Sequence, residues 1–189
     1  MSEPSTEVWL VRHGETEWSR DRRHTSFTDL PLTENGIATA EQLGPRLAGE
    51  PFEVVLTSPM QRARRTAELA GFGDAEVVDD LVEWNYGEYE GITNDEIRES
   101  VPDWTVWTHP VPAGETQEAL AGRLDRVVGR LRSEPGRCLL FAHGHTLRAL
   151  TARWLGLTVS EGRLFRLDTA TVSVLGYERE TPVILRWNA

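Results

Sequence analysis

The sequence predicts an α/β protein in which helices cover a mostly parallel central sheet. Strand-like and helix-like segments alternate along the chain, and the strand-like segments are apolar throughout. Three of these strands are EVWLV (7–11), FEVVLT (52–57) and RCLLFA (137–142). Because both faces of such strands must be buried, the expected architecture is a three-layer sandwich with helices on either side of the sheet.

The segments between these strands carry helix signals. Thr33 begins a pattern with apolar residues at helical spacing, and Gly44-Pro45 is expected to interrupt that helix. A second helix is expected from Pro59 to about residue 70, with Ser58 as its N-cap. The remaining expected elements are a short strand at 77–78, helices near 94–99, 115–132 and 145–155, and strands at 171–178 and 182–187.

The composition predicts one domain over residues 1–189, with an irregular segment at 84–112 that covers the functional site. The single cysteine, Cys138, excludes an internal disulfide framework and lies in an apolar run, where a buried, unreactive thiol is expected. No apolar run approaches the ~18 residues that span a bilayer, and the opening MSEPSTE does not resemble a signal peptide. Together these features predict a cytoplasmic protein.

The formal net charge of −10 argues against nucleic acid or an anionic membrane as a partner. A small anionic substrate stays compatible, because one pocket can be positive on a negative surface. Polar residues follow three of the predicted strands: Arg12 and His13, the segment from Ser58 to Arg62, and His143. Since ligands of α/β sheets bind beyond the carboxyl ends of strands, we expect these side chains to converge in one crevice.

These residue types suit phosphoryl transfer. The two guanidiniums, Arg12 and Arg62, can each form paired hydrogen bonds with phosphate oxygens. A neutral histidine can attack phosphorus, a second, protonated histidine can hold another oxygen, and a carboxylic acid must protonate the leaving oxygen. The stretch LVEWNYGEYEG supplies Glu83, Glu88 and Glu90 as candidates for that acid, and the residues alone do not separate them.

Five motifs, in order along nearly the whole chain, resemble the histidine phosphatase superfamily, in its phosphoglycerate-mutase-like branch 1. They are RHGETEW (12–18), SPMQRARRTA (58–67), EWNYGEYEG (83–91), GET (114–116) and FAHGHTLR (141–148). The combination of RHGET with a late HG is highly specific, whereas RHG alone would be a weak signal. The resemblance implies a phosphoglycerate-mutase-like fold with the sheet between helical layers.

The resemblance also implies a role for each matching residue. His13 matches the family's phosphohistidine nucleophile, and Arg12 and Arg62 match its phosphate-binding arginines. His143, the histidine before Gly144, matches the second histidine of the family. Glu83 matches the proton donor, because a Tyr-Gly pair follows it at the family's spacing. A small phosphorylated metabolite is the implied substrate, with neither a metal nor an organic cofactor.

The chain departs from the family pattern in the stretch after the first motif. Ser19 stands where family members often have Asn, and His24-Thr25-Ser26 stands where many carry a Gln-Gly pair that binds phosphate through its backbone. Substrate contacts from Ser19, Thr25 and Ser26 are therefore expectations that rest on position in this stretch.

The remaining histidines have simpler interpretations. His145 is expected to begin a helix with its side chain turned away from the crevice, and His24 and His109 are expected at the surface or the pocket rim. A metal site is the alternative and would make the protein a metallohydrolase. Its ligands would be His13, His24, His143 and Glu83.

A cofactor-dependent phosphoglycerate mutase is the main alternative function within the same family. Such mutases need additional cationic residues in the segment that covers the site. Between Glu83 and Glu115 the chain offers only Arg98 and His109 as basic groups, so a phosphatase for sugar phosphates or similar small phosphomonoesters is the preferred interpretation. A phospho-ligand binding module without catalysis is a further alternative, and a homodimer is compatible with the sequence.

Overall fold

A computed structural model describes residues 6–189, which contain one six-stranded sheet in the order β3-β2-β4-β1-β5-β6. The strands are β1 (Glu7–Arg12), β2 (Val54–Thr57), β3 (Glu76–Val77), β4 (Arg137–Ala142), β5 (Val172–Glu178) and β6 (Thr181–Arg186). Strands β3, β2, β4 and β1 run parallel, and β5 and β6 add antiparallel pairs at one side. The prediction of a mostly parallel sheet is confirmed.

Helices cover both faces of this sheet. Those in the described residues are α1 (Glu17–Arg20), α2 (Glu34–Glu41), α3 (Leu43–Leu47), α4 (Gln61–Leu69), α5 (Asn94–Arg98), α6 (Gln117–Ser133) and α7 (Gly144–Trp154). Successive residues of β1 face opposite sides, so Leu10 packs in a cluster with Leu124 of α6, and Val11 packs in a cluster with Leu43 of α3. The three-layer architecture is therefore confirmed. None of these helices is long and apolar enough to cross a membrane.

Parallel pairing brings the carboxyl ends of three strands together. Arg12 pairs with Ala142 and Thr57 pairs with Phe141, so β1, β2 and β4 end at the same edge of the sheet. His13 follows β1, and its N–H donates to the Ala142 carbonyl over 3.0 Å. This register gathers the residues that follow the three strands around one crevice.

The start of α4 differs from the prediction. The helix begins at Gln61 rather than at Pro59, so Ser58 is not its N-cap. The Ser58 hydroxyl is instead hydrogen-bonded to Nε2 of His143 over 2.7 Å. The N–H of Gln61 donates to Oδ1 of Asp29 over 2.9 Å, so a carboxylate from a distant loop caps this helix.

Two other local predictions are confirmed. Helix α2 ends at Glu41 and α3 begins at Leu43, so the helix that starts after Thr33 is interrupted next to Gly44-Pro45. Cys138 is buried in β4, where loss of solvation raises the pKa of its thiol to about 11. A thiol with such a pKa stays protonated and unreactive at neutral pH.

The segment at 84–112 packs beside the crevice through its aromatic residues. Its regular structure consists of a 3₁₀ turn at Gly87–Tyr89 and the short helix α5. Trp84, Trp104 and Trp107 are buried in the apolar cluster that also contains side chains of α6 and α7. Trp84 Nε1 donates to the Glu115 carbonyl over 2.8 Å. Burial of three indoles therefore fixes an otherwise irregular segment.

Candidate active site

Arg12, the last residue of β1, lines a cavity of about 270 Å³. Its Nη1 donates to the Leu167 carbonyl over 2.7 Å. Its Nε is buried and has no hydrogen-bond partner among residues 6–189. Because leaving a buried donor unpaired is costly, this N–H is suited to an anionic ligand in the cavity. Loss of solvation lowers the pKa of Arg12 from the ordinary arginine value.

His13 lines the same cavity with one ring nitrogen free to react. Its Nδ1 lies 2.7 Å from the Gly14 carbonyl oxygen, which can only accept, so Nδ1 carries the proton and Nε2 carries the lone pair. Burial and the positive charges of Arg62 and Arg12 hold the pKa of His13 well below its usual value. The imidazole is therefore neutral and nucleophilic at Nε2 at neutral pH.

Gly14 allows the end of β1 to approach two neighbouring segments. Its N–H donates to Oγ1 of Thr66 over 3.0 Å, and the Thr66 hydroxyl donates to the Arg62 carbonyl over 2.7 Å. A Cβ atom at Gly14 would lie 2.5 Å from the Gly36 carbonyl oxygen. The glycine of the Arg-His-Gly motif is therefore required by packing.

Arg62 lies in the first turn of α4, and its side chain is fully buried. Nη1 donates to the Thr28 carbonyl over 3.1 Å, and Nη2 donates to the Ser26 carbonyl over 2.9 Å. Nε donates to Nδ1 of His143 over 3.2 Å. Loss of solvation lowers the pKa of Arg62, but that pKa starts so high that the guanidinium keeps its charge. A buried positive charge thus lies directly against the second histidine.

His143 is the N-cap residue of α7, and its ring centroid lies 5.2 Å from that of His13. Because Nδ1 accepts from Arg62, the ring proton is on Nε2, which donates to Ser58 Oγ over 2.7 Å. Burial and the charge of Arg62 hold the pKa of His143 well below its usual value. The ring is therefore neutral, and both of its nitrogens have protein partners.

Glu83 is the single carboxylate among the described residues that line the cavity. Its Oε2 accepts from the N–H of His145 over 3.0 Å. Its Oε1 accepts from the N–H groups of Thr146 and Trp84 over 2.8 and 2.9 Å. His145 and Thr146 belong to the first turn of α7, where free N–H groups favour an acceptor with negative charge. Glu83 is thus held rigidly at the edge of the cavity.

Position separates Glu83 from the two other carboxylates of the same stretch. Glu90 accepts from the N–H groups of Ser26 and Thr28 over 2.9 and 3.0 Å. Glu88 is exposed to solvent. Neither of them is among the described residues that line the cavity. The geometry therefore supports Glu83 for the acid role that the resemblance implies.

The three expected substrate contacts lie in different environments. Ser19 and Thr25 line the cavity. The Ser19 hydroxyl also completes a capping box at the start of α1, where it accepts from the Thr16 N–H over 2.9 Å, and it donates to the Thr16 carbonyl over 3.0 Å. The Ser26 hydroxyl donates to Glu90 and lies outside the cavity lining of the described chain. Substrate contact stays a prediction for all three, and the geometry favours Ser19 and Thr25.

The expectation that His145 turns away from the crevice is wrong, because His145 and His24 both line the cavity. His145 Nδ1 is hydrogen-bonded to the hydroxyl of the buried Tyr86, which has no other acceptor in residues 6–189. The Tyr86 hydroxyl and Nδ1 of His145 thus hold each other in place within the cavity lining. Burial lowers the pKa values of both histidines. The H-x-H spacing does not predict that His145 lines the cavity, because the direction of its side chain depends on the rotation of α7 about its axis.

Of the expected residues, Arg62 and His143 lie behind the described cavity lining, whereas three arginines that were not expected line it, namely Arg22, Arg23 and Arg148. Arg22 and Arg23 are exposed and follow α1, whereas Arg148 is half-buried in α7. The Arg148 guanidinium stacks on Trp107, with 4.7 Å between its central carbon and the ring centroid. A search for cationic residues within 84–112 misses these arginines because none of them comes from that segment.

The order of the strands, the helical layers and the crevice at the strand ends together define a phosphoglycerate-mutase-like α/β protein. The Arg-His-Gly motif and the late histidine narrow this class further. The chain belongs to the histidine phosphatase superfamily (branch 1), whose family model matches residues 8–189. The resemblance inferred from the motifs is thereby confirmed.

Relatives with phosphatase and mutase names both match the chain. An acid phosphatase of Mycobacterium tuberculosis is 44% identical over 173 residues, which cover 89% of this chain and 85% of that protein. A probable phosphoglycerate mutase of Escherichia coli, GpmB, is 32% identical over 193 residues, which cover 96% of this chain and 89% of that protein. A solved structure of an open reading frame from Mycobacterium tuberculosis has a TM-score of 0.93 at 39% identity, over 97% of each chain.

Proposed function

We propose that this protein is a phosphatase that hydrolyses small phosphomonoesters through a phosphohistidine intermediate on His13. The observation that carries the proposal is the hydrogen bond of 2.7 Å from His13 Nδ1 to the Gly14 carbonyl, which leaves Nε2 as a free nucleophile in the cavity. Arg12, whose Nε is buried, and the fully buried Arg62 lie close enough to lower the pKa of this histidine. They supply the positive charge that a phosphoryl group requires.

In the first step, Nε2 of His13 attacks phosphorus in line with the leaving oxygen. The new P–N bond forms as the P–O bond to the leaving group breaks, and protonated Glu83 gives its proton to the departing oxygen. The unpaired Nε–H of Arg12 is available to a phosphoryl oxygen during this step. The first product is an alcohol, and the phosphoryl group stays on His13.

In the second step, water attacks the phosphohistidine. The Glu83 carboxylate takes one proton from this water, the P–N bond breaks and inorganic phosphate leaves. The Glu83 carboxylate is held in place for this step because its oxygens accept three backbone N–H groups, at 2.8, 2.9 and 3.0 Å. His13 returns to its neutral form, and the protonated Glu83 is restored for the next cycle.

Arg62 and His143 act together on the phosphoryl group. A phosphoryl oxygen that takes the Nε–H of Arg62 frees Nδ1 of His143, which otherwise accepts that hydrogen bond over 3.2 Å. The negative charge of the phosphoryl group then favours a proton on Nδ1, so the ring becomes a donor to a second oxygen. His143 would in this way change from neutral to charged only when substrate is bound.

A phosphatase is favoured over a mutase by the segment that covers the crevice. Neither of its two basic residues, Arg98 and His109, is among the described residues that line the cavity. Arg98 Nε instead donates to the Trp104 carbonyl over 2.9 Å. This segment therefore supplies no charged group to the cavity, and the additional cavity arginines, Arg22, Arg23 and Arg148, come from outside it.

Two other functional classes receive less support. Among residues 6–189, no group of three or more His, Cys, Asp and Glu side chains is arranged to hold a metal ion, as the metallohydrolase would require. A binding module without catalysis would not need an acid, yet Glu83 lines the cavity beside His13. Small phosphorylated metabolites are thus the proposed substrates, and water is the proposed acceptor.

The proposal is tested by rapid acid-free quenching with an ester that carries ³²P in its phosphoryl group. The wild-type protein should acquire base-stable, acid-labile label, and vanadate but not EDTA should inhibit turnover. His13→Ala should abolish both label and turnover. His109→Ala, a half-buried histidine outside the described cavity lining, is the matched control and should retain both. Full activity of His13→Ala would overturn the proposal.

A second assay separates the two family activities. The protein is given 3-phosphoglycerate with a bisphosphoglycerate primer, and isomerisation and phosphate release are followed together. We expect phosphate release to exceed isomerisation at every pH. Isomerisation faster than phosphate release would assign the protein to the mutases instead.

A further inference from the structure

The cavity contains a charged side chain that the proposed chemistry does not use. Arg22 lines the cavity, and within residues 6–189 its guanidinium makes no hydrogen bond or ion pair. Its two arginine neighbours are engaged. Arg20 Nε pairs with Asp21 Oδ1 over 2.9 Å, and Arg23 Nη1 donates to the Gly91 carbonyl over 2.7 Å. Arg22 is thus the member of this cluster that is free to bind a ligand.

The backbone at Arg22 has a conformation that is strained for any residue other than glycine. The residue follows the C-cap of α1 and has a φ angle of 59°, in the left-handed region that glycine adopts most easily. The N–H of the next residue, Arg23, closes this turn by donating to the Trp18 carbonyl over 2.8 Å. A glycine at this position would relieve the strain in the turn, whereas the arginine adds a positive charge to the cavity.

The charge balance in the cavity points to a ligand with more than one anionic group. Among the described residues that line the cavity there are four arginines and one carboxylate, although the whole chain has a net charge of −10. Arg12, with Arg62 behind it, accounts for one phosphoryl group. Arg148 is stacked on Trp107 and Arg23 donates to the Gly91 carbonyl, which leaves Arg22 as the exposed cavity arginine without a partner among the described residues.

We propose that Arg22 binds a second anionic group of the substrate, a carboxylate or a second phosphate, and so makes the enzyme selective for phosphomonoesters with two anionic groups. This inference rests on the proposed phosphatase function. Asn94 lines the same cavity and presents an amide that can bind the same group. The second group is held for recognition only, and the reaction at His13 remains hydrolysis.

Two substrate pairs test the selectivity and distinguish the two kinds of anion. 3-Phosphoglycerate and glycerol 3-phosphate differ by a carboxylate in place of a hydroxymethyl group. Fructose 1,6-bisphosphate and fructose 6-phosphate differ by a second phosphate. We expect the wild-type kcat/KM to favour the first member of at least one pair by about tenfold, the effect of a charge-assisted hydrogen bond, with the difference mainly in KM.

Arg22→Gly removes the guanidinium and fits the positive φ angle, so the variant should fold at least as stably as the wild type. We expect it to lower the kcat/KM ratio within the preferred pair about tenfold. Arg22→Lys should keep part of the ratio because it keeps the charge but not the planar fork. Arg20→Ala, which changes an exposed neighbour outside the described cavity lining, should leave the ratio as it is.

Failure of this inference differs from failure of the proposed function. If the wild type releases phosphate from all four esters with ratios near one, or if Arg22→Gly keeps the wild-type ratios, the role of Arg22 is overturned and the phosphatase is not. If no ester yields phosphate or labelled His13, the proposed function itself fails. Raised salt gives an independent check, because it should reduce the wild-type ratio and leave that of Arg22→Gly unaffected.

Discussion

Nε of Arg62 donates to Nδ1 of His143 over 3.2 Å, and this contact fixes both the tautomer and the charge of the histidine. The ring proton must lie on Nε2, where it is donated to Ser58. His13 has the opposite tautomer, because its Nδ1–H is donated to the Gly14 carbonyl. The two facing imidazoles therefore carry their protons on different nitrogens, and neither carries a charge.

The first prediction is that neither histidine titrates near the usual histidine pKa. Burial and the positive charge of Arg62 depress the pKa values of His13 and His143, so both rings should stay neutral as the pH falls from 7.5 to 5.5. Ring ¹⁵N chemical shifts of the protein without phosphate should show the two tautomers and no transition in this range. Arg62→Gln should raise both pKa values, and a transition near pH 6.5 in the wild type would contradict the assignment.

The second prediction concerns stability against acid. His13, His24, His143 and His145 all have pKa values in the folded protein below the usual value. The unfolded chain therefore takes up their protons first, and the stability contribution is complete above about pH 6.5. Below that pH, each histidine should reduce the free energy of unfolding by about 1.4 kcal/mol per pH unit until its folded form titrates.

Urea unfolding at pH 7.0 and 5.5 measures this loss. His145→Asn removes one of the four groups and should make the fall in unfolding free energy between the two pH values smaller. The change that His145→Asn causes in the free energy of unfolding at pH 7.0 provides the baseline, because the His145 ring is neutral at that pH in the folded protein. Equal stability of the wild type at both pH values would show that the buried histidines take up protons without unfolding.

The third prediction separates the two steps that are proposed for Glu83. Glu83→Gln has the same shape but cannot give up or take a proton. With an alkyl phosphate, formation of phosphohistidine should slow by about 100-fold to 1,000-fold, because the leaving oxygen needs a proton. With p-nitrophenyl phosphate, whose phenolate leaves unprotonated, the first step should stay fast and the phosphoenzyme should accumulate. Rapid-quench measurement of both esters checks this, and equal slowing of the first step would argue against an acid role.

The fourth prediction is that Gly36 cannot be enlarged. A Cβ atom there would lie 2.1 Å from the Glu15 carbonyl oxygen, next to the Arg-His-Gly motif. Gly36→Ala should destabilise the fold by about 2–3 kcal/mol and lower activity. Gly122→Ala is the matched control, because Gly122 is also helical and a Cβ there meets nothing within 4 Å. It should stabilise the protein by about 0.5–1 kcal/mol, as measured by chemical denaturation.

The sequence predicts the sheet and the crevice well because the strands are apolar throughout and end abruptly in polar residues. The strand 137–142 is predicted with the bounds at which it is found, since His143 directly follows its last apolar residue. The start of α4 is predicted poorly, because its cap is Asp29, far away in the chain. Local patterns detect local caps, and a cap from another loop leaves no periodic signal.

The same limit applies to the site. Arg20, Arg22 and Arg23 lie together in the stretch RDRR, and this local sequence does not predict which of them line the cavity. Arg22 and Arg23 both line the cavity, and the positive φ angle at Arg22 depends on where α1 ends. His145 is likewise placed by the hydrogen bond from its N–H to Glu83, a contact between residues 62 positions apart. Such orientations depend on tertiary contacts rather than on spacing.

The carbonyl groups of Ser26 and Thr28 hold the guanidinium of Arg62 at 2.9 and 3.1 Å, which makes this loop part of the proposed phosphate site rather than a cover laid over it. If the loop at 25–28 were replaced by that of a relative to alter selectivity, the carbonyl groups that hold the buried charge of Arg62 would change position. Redesign of this enzyme for another ester should therefore change side chains at the cavity and keep the backbone path of residues 25–28 as it is. The backbone of this loop therefore serves the proposed chemistry, whereas selectivity can be altered through the cavity side chains alone.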